Sequence, residues 1–275
     1  QYYNGFANRT LWPLFHYRLD LAEFQREDYA TYLKVNTLFA ENLVPLLEPD
    51  DDIWVHDYHL LPLGKELRRM GVEHRIGFFL HTPFPALEVL LALPSHARLG
   101  RSLCSYDVVG FQTENDLRAF HDYILHEAGG EVSDDGIVRA YGRTLKAAVF
   151  PIGTEAEEMA QLSVHASRLA PVKRLEQSLR DRQMMIGVER LDYSKGLPER
   201  FKAFEIFLDK YPEQRGKTQF IQIAPGSRTE VPEYKQIGHD LEAMAGHIIG
   251  TFGEPDWTPL RYLNKGFPRE QLAGF

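Results

Sequence analysis

The sequence contains one cysteine, Cys104, among 275 residues. A single thiol excludes a disulfide within the chain and a metal cluster held by several thiolates, and it is typical of a protein in a reducing compartment. No apolar run reaches the roughly 18 residues that a membrane-spanning helix needs. We therefore expect a cytoplasmic protein that has no membrane partner.

Positive charge is also scarce, since 39 acidic residues outnumber 31 lysines and arginines and give a net charge of −8. Such a protein repels a polyanion, so we expect no nucleic-acid partner and assign any anion site to a local cluster of cations. The sequence also lacks a Walker motif, an HExxH zinc motif and the usual signature of a serine hydrolase. These absences remove several common enzyme classes.

Short apolar runs alternate with helical patterns along the chain. Strands are predicted near residues 53–55, 75–80, 107–111, 144–152, 184–188, 218–224 and 248–252. Helices are predicted near residues 62–70, from 86 onward, and near 113–127, 164–182, 198–210 and 231–244. Apolar strands separated by helices are typical of parallel sheets that are covered on both faces. The predicted fold class is therefore α/β.

The alternation falls into two blocks, which predict two Rossmann-like domains. The first covers residues 1–153, a helical connection or linker covers 154–182, and the second covers 183–275. The second block has fewer strands than such a domain usually carries. Because both ends also read as interrupted elements, we expect a segment of a longer protein.

Polar side chains collect where the predicted strands end. His56 and Asp57 follow the first strand, and His81 follows the second. Arg190 follows the first strand of the second block, and Arg228 follows the next one. In open parallel sheets, ligands bind beyond the carboxyl ends of the strands. The repeated placement therefore predicts a ligand site at this edge of each sheet.

The turn from 189 to 198 is the strongest single signal. It joins an apolar strand to a helix with Pro198 in its first turn, and it carries Arg190, Lys195 and Gly196. A glycine lets the backbone approach a ligand closely, and a helix N-terminus presents free N–H groups. Two cations in that setting predict a diphosphate or phosphate site. The alternative is a surface turn with two solvated cations.

The polar residues of the first block have alternative interpretations. His56, Asp57 and His59, with His81, are possible metal ligands. Asp57 is also a candidate helix N-cap, His81 a candidate core histidine, and Arg228 a candidate ion-pair partner. As functional groups, a carboxylate and an imidazole at a sheet edge suit hydrogen bonding to sugar hydroxyls, and Arg228 suits a second phosphate.

Several long motifs, in order along essentially the whole chain, resemble the trehalose-6-phosphate synthase family. They lie at residues 3–8 with 11–13, 54–60, 77–85, 110–113, 188–196 and 222–225 with Arg228. The resemblance implies the GT-B fold, in which two Rossmann-like domains face each other, with the second incomplete here. It also implies a retaining transfer of glucose from UDP-glucose to glucose 6-phosphate, which gives α,α-trehalose 6-phosphate and UDP.

The same resemblance implies residue roles. Arg190 and Lys195 would hold the donor diphosphate, and His81 would contact the donor glucose. Asp57 would contact the acceptor sugar, and it joins these three in the expected catalytic set. The residues expected to bind the acceptor, glucose 6-phosphate, are Tyr3, Trp12, Asp57 and Arg228.

The family uses no metal and no cofactor, and we expect none here. Its glycine-rich N-terminal loop and its downstream donor contacts are not within these residues, so we expect residues 1–275 alone to be inactive. Two alternatives stay open: a non-catalytic paralogue that senses sugar phosphates, and a pseudo-glycosyltransferase on the same fold. The nucleotide of the donor, assembly into a homo-oligomer and regulation also stay open.

Overall fold

The chain divides into two compact units, Gln1–Gly153 and Thr154–Phe275. The computed structural model describes residues 1–227 and 232–275. Each unit has its own sheet with parallel strands and helical connections. The prediction of an α/β fold with two Rossmann-like sheets is confirmed.

The sheet of the first unit has six strands. They are β1 (Asp52–His56), β2 (Arg75–Phe79), β3 (Val108–Phe111), β4 (Glu131–Val132), β5 (Ile137–Ala140) and β6 (Arg143–Val149). The spatial order is β1-β2-β3-β6-β5-β4. Strands β1, β2, β3 and β6 are parallel, while β4 and β5 add an antiparallel edge that was not predicted. These two strands are too short to show a clear alternation in the sequence.

Helices connect the strands of the first unit. A wide, π-type helical segment (Tyr2–Leu11) is followed by α1 (Trp12–Phe15), α2 (Arg26–Leu43), α3 (Leu63–Arg69), α4 (Leu87–Leu90), α5 (His96–Leu103) and α6 (Glu114–His126). Helix α6 begins at a capping box. The Thr113 hydroxyl accepts from the Asp116 N–H, and the Asp116 carboxylate accepts from the Thr113 N–H. These bonds satisfy donors that a helix start leaves unpaired.

The second unit has three parallel strands in the order β7-β8-β9. They are β7 (Gln183–Val188), β8 (Thr218–Ile223) and β9 (Leu260–Leu263), and the helices are α7 (Ala156–Ala166), α8 (Ala170–Leu179), α9 (Leu197–Lys210), α10 (Pro232–Phe252) and α11 (Arg269–Gly274). The segment 154–182, predicted as a helical connection, forms α7 and α8, and α7 packs against α11.

The predicted strand near 248–252 is wrong, because these residues continue α10. Leu241, Ala245 and Ile248 are buried in the core of the second unit at helical spacing. A short apolar run can belong to a strand or to a buried helical stripe, and only the longer spacing distinguishes them. The third strand follows later, as β9.

Although α10 has 21 residues, no helix in the described parts of the chain is long and apolar enough to cross a bilayer.

Two helical glycines should respond to alanine in opposite ways. A Cβ at Gly100 in α5 would overlap the Tyr123 ring, so we expect Gly100→Ala to destabilise the protein by about 1–3 kcal/mol. Gly246 in α10 has open space around a new Cβ, so Gly246→Ala should stabilise it by about 0.5–1 kcal/mol. Urea unfolding of both variants measures the difference. Equal effects would contradict the packing described for α5.

Candidate active site

The carboxyl ends of β1 and β2 bring Asp57 and His81 together. His56, the last residue of β1, is paired in register with Phe79 of β2. The Asp57 N–H then donates to the Phe79 carbonyl at 2.8 Å, and the His81 N–H donates to Asp57 Oδ1 at 3.3 Å. The Asp57 carboxylate therefore lies against the backbone of the exposed His81 at the predicted edge.

Asp57 has a strained backbone, with φ 71° and ψ 168°. This region is used almost only by glycine, and it costs another residue about 1–3 kcal/mol. Asp57 precedes a short helical turn, Tyr58–Leu60, but its side chain makes no capping hydrogen bond there. The N-cap interpretation therefore does not explain the carboxylate. Strain at an acidic residue on a sheet edge supports a functional role.

Two aromatic residues from the start of the chain lie beside the Asp57 turn. The Tyr3 ring stacks on His59 at 5.4 Å between centroids, and the Trp12 ring lies 5.6 Å from Tyr58. Trp12 is 7% exposed, whereas Tyr3 is 49% exposed. Tyr3 can therefore meet a ligand at the surface, while Trp12 mainly forms the wall beneath it.

A second histidine, His56, contacts the His81 ring. The Nδ1 atom of His56 lies 3.0 Å from the Nε2 atom of His81. Both rings line a cleft of about 470 Å³, together with Trp54, Phe79 and Phe150. Burial lowers the pKa of His56, the nearby His81 lowers it further, and the Asp57 carboxylate partly opposes both effects. Because His81 is exposed, the core-histidine interpretation is wrong.

The histidines and Asp57 do not form a metal centre. The His59 ring stacks on Tyr3, while His56 and His81 face each other. Within residues 1–227 and 232–275, no three histidine, cysteine, aspartate or glutamate side chains converge as metal ligands. The arrangement instead offers hydrogen-bond donors and acceptors next to aromatic surface, which suits a sugar.

In the second unit, a buried aspartate shapes the loop that carries the two predicted cations. Asp192 is fully buried, and its carboxylate accepts from the Ser194 N–H at 3.0 Å and from the Tyr234 hydroxyl at 3.2 Å. The Lys195 N–H donates to the Asp192 carbonyl at 3.1 Å. Hydrogen bonds within the loop thus fix its shape, and Arg190 and Lys195 are exposed at the surface.

The loop leads directly into the N-terminus of α9. Gly196 has φ +63°, a left-handed conformation that glycine adopts without a steric penalty, and Pro198 stands in the first helical turn. Free N–H groups and the positive end of the helix dipole favour an anion at this point. Arg190 and Lys195 add two charges beside it. Arg228, the third predicted cation, lies outside the described residues.

A polar network next to this loop was not predicted from the sequence. Arg200 of α9 contacts Glu189 at 2.6 Å and donates to the Gln222 side chain at 2.9 Å, and Gln222 donates to Glu189 at 2.6 Å. Gln222 is fully buried within β8. The network connects Glu189, the residue before Arg190, to α9. The available signal was a glutamine between apolar neighbours, Ile221 and Ile223, in the predicted strand.

Comparisons with known proteins identify the family. The profile of Glycosyltransferase family 20 matches residues 1–275. A trehalose-6-phosphate synthase from Cronobacter sakazakii is 54% identical over 273 residues, which are 99% of this chain and 57% of that protein. One from Sinorhizobium fredii is 49% identical over 274 residues, which are 100% of this chain and 59% of that protein.

Solved structures give the same result. An α,α-trehalose-phosphate synthase (UDP-forming) from Burkholderia xenovorans, in complex with glucose-6-phosphate, has a TM-score of 0.98 and 51% identity. A structure from E. coli bound with UDP-2-fluoro glucose has a TM-score of 0.96 and 50% identity. Each alignment covers 99% of this chain and 61% or 60% of the other. The chain thus spans about three fifths of the proteins it matches.

The strain at Asp57 can be measured with two variants that both remove the carboxylate. Alanine keeps the Cβ that conflicts with the positive φ, whereas glycine does not. We expect Asp57→Gly to be more stable than Asp57→Ala by about 1–3 kcal/mol in urea unfolding. Asp57→Asn, which keeps the strained Cβ, is the matched control. Equal stability of the glycine and alanine variants would show that the backbone is not strained.

Proposed function

The chain belongs to glycosyltransferase family 20, and from this membership we propose that the protein transfers glucose from UDP-glucose to glucose 6-phosphate. The products are α,α-trehalose 6-phosphate and UDP, with the anomeric configuration retained. The observation that carries the proposal is the loop before α9, where Arg190 and Lys195 accompany a helix N-terminus. Such a loop suits the diphosphate of a nucleotide sugar.

The donor and the acceptor are assigned to different residues. Arg190 and Lys195 would hold the donor diphosphate, and His81 would contact the donor glucose. The acceptor phosphate is assigned to Tyr3, Trp12 and Arg228, and the acceptor sugar to Asp57. The exposed Tyr3 ring and the strained Asp57 carboxylate support the acceptor assignment, since both adjoin the Tyr58–Leu60 turn.

The proposed reaction needs no protein nucleophile. The acceptor hydroxyl oxygen bonds to the anomeric carbon as the bond from that carbon to the diphosphate breaks. The acceptor proton passes to the departing phosphate oxygen, so charge and protons balance. The contribution of the protein is to position both sugars and to stabilise negative charge on the leaving diphosphate.

We also propose that the protein is located in the cytoplasm. Cys104 is buried, and burial raises the pKa of its thiol to about 12, so the thiol stays protonated and unreactive. A single inert thiol is compatible with a reducing compartment. Assembly into a homo-oligomer is equally compatible with the proposal, and sedimentation of the purified protein measures it.

An assay of the full-length protein tests the proposed function. Glucose 6-phosphate would be incubated with UDP-glucose, GDP-glucose or ADP-glucose, and the product would be identified by NMR. We expect α,α-trehalose 6-phosphate, formed with release of the nucleoside diphosphate. Binding of both substrates without release would instead support the sugar-phosphate sensor, and a different coupled product would support the pseudo-glycosyltransferase.

Activity of the full-length protein should survive EDTA. Arg190 and Lys195 supply two fixed positive charges near the leaving diphosphate, the role that a divalent metal has in other enzymes. The measurement is the rate of UDP release before and after chelation. A rate that is lost with EDTA and restored by magnesium or manganese would contradict the proposal that these cations suffice.

Lys195→Ala should lower kcat, because negative charge grows on the leaving diphosphate in the transition state. The loss of a charge-assisted hydrogen bond is worth about 1.5–3 kcal/mol, which corresponds to about 10- to 150-fold in kcat. The control is Lys202→Ala, which removes an exposed lysine of α9 that pairs with Glu205. A raised KM for UDP-glucose with unchanged kcat would show instead that Lys195 binds the ground state and the transition state equally.

A further inference from the structure

His56 contacts His81, the exposed histidine of the candidate site. Its ring centroid lies 5.2 Å from that of His81, with the planes inclined by 36°, and the two facing nitrogens are 3.0 Å apart. His56 is the last residue of β1, and His81 follows β2. The parallel register brings the two strand ends together, and the side-chain directions of His56 and His81 then complete the contact.

Two neutral imidazoles at this distance must share one hydrogen. Each ring has one N–H and one bare nitrogen, and a 3.0 Å contact needs a donor on one side and an acceptor on the other. If His56 donates, His81 Nδ1 carries a hydrogen. If His56 accepts, His81 Nδ1 is bare. The tautomer of His56 therefore determines whether His81 Nδ1 is a donor or an acceptor.

The surroundings disfavour a positive charge on His56. Trp54 packs against the His56 ring at 4.4 Å, and the Phe79 ring packs edge-on against His81 at 4.8 Å. The titratable groups that face His56 are His81 and the Asp57 carboxylate, and burial together with His81 lowers the pKa of His56. With Phe79 against one side of His81 and His56 at its Nε2 atom, rotation of the ring is restricted.

We propose that His56 is a positioning residue that holds the His81 imidazole in one orientation and ties the tautomer of His81 to its own. The free nitrogen, His81 Nδ1, then meets a sugar hydroxyl in a defined hydrogen-bonding state. In its kinetic part, this inference rests on the proposed function, in which His81 contacts the donor glucose. In its structural part, it concerns the His81 ring alone and is independent of any reaction.

The first test reads the tautomer directly. Protein labelled with ¹⁵N-histidine gives imidazole ¹⁵N shifts that distinguish Nδ1–H from Nε2–H, and His81→Gln identifies the His81 signals. In the wild type we expect His56 and His81 to carry their hydrogens on the same ring position, both on Nδ1 or both on Nε2. We expect the His81 shifts of His56→Asn to stay close to those of the wild type, because the asparagine amide keeps a hydrogen-bonding partner near the position of Nδ1. In His56→Leu we expect averaged shifts from a mixture of tautomers.

The second test is kinetic, in the full-length protein. We expect His56→Leu to lower kcat by about 10- to 100-fold, the usual effect of losing a partner that orients a functional histidine, with a smaller change in either KM. His56→Asn should recover most of the loss. His74→Leu is the control, since His74 Nε2 bonds the Glu48 carbonyl at 2.8 Å near the opposite edge of the sheet, and it should leave kcat unchanged.

The outcomes separate the two proposals. Unchanged His81 shifts in His56→Leu, or equal losses in the folded leucine and asparagine variants, would overturn the positioning role. If His56→Leu does not fold, His56→Ala takes its place and is read in the same way. If the wild type transfers no sugar at all, the proposed function fails, but the ¹⁵N shifts still decide whether His56 fixes the His81 tautomer.

Discussion

The parallel pairing of β1 with β2 is the constraint on which the candidate site in the first unit depends. Because His56 is in register with Phe79, the Asp57 N–H reaches the Phe79 carbonyl, and the Asp57 carboxylate reaches the His81 N–H. A slip of one residue would turn each of these side chains to the other face of the sheet. Backbone hydrogen bonding therefore places the polar groups before any ligand is present.

In the second unit, a buried carboxylate, that of Asp192, holds the loop that carries the predicted cations. The loop carries two cations, Arg190 and Lys195, ahead of a helix N-terminus, and like charges repel one another. Asp192 binds the loop to itself and to α10 through Tyr234, and the Glu189–Arg200–Gln222 network binds the strand end to α9. Such preorganisation lowers the cost of collecting positive charge at the proposed anion site.

Much of the fold could be predicted from the sequence, since apolar strands, helix starts and polar strand ends obey local rules. Strands β4 and β5 were missed because their few residues leave no period to detect, and Ile248 was assigned to a strand because a short apolar run is ambiguous. The neighbours of Asp57 and His81 could be expected from sheet geometry. The pairing of His56 with His81 could not, because it depends on side-chain directions that no spacing specifies.

At Asp57, a strained backbone conformation occurs together with a side chain that accepts a hydrogen bond. A glycine would satisfy its backbone without strain, yet the position carries a carboxylate that accepts a hydrogen bond from the His81 N–H. The chain thus keeps a residue that costs folding free energy, and the surrounding sheet supplies the stability that makes this possible. The sheet holds the carboxylate at its edge despite the strain, which supports the proposed functional role of Asp57. The strain at Asp57 therefore lowers stability at that position, and the regular register of β1 and β2 offsets it.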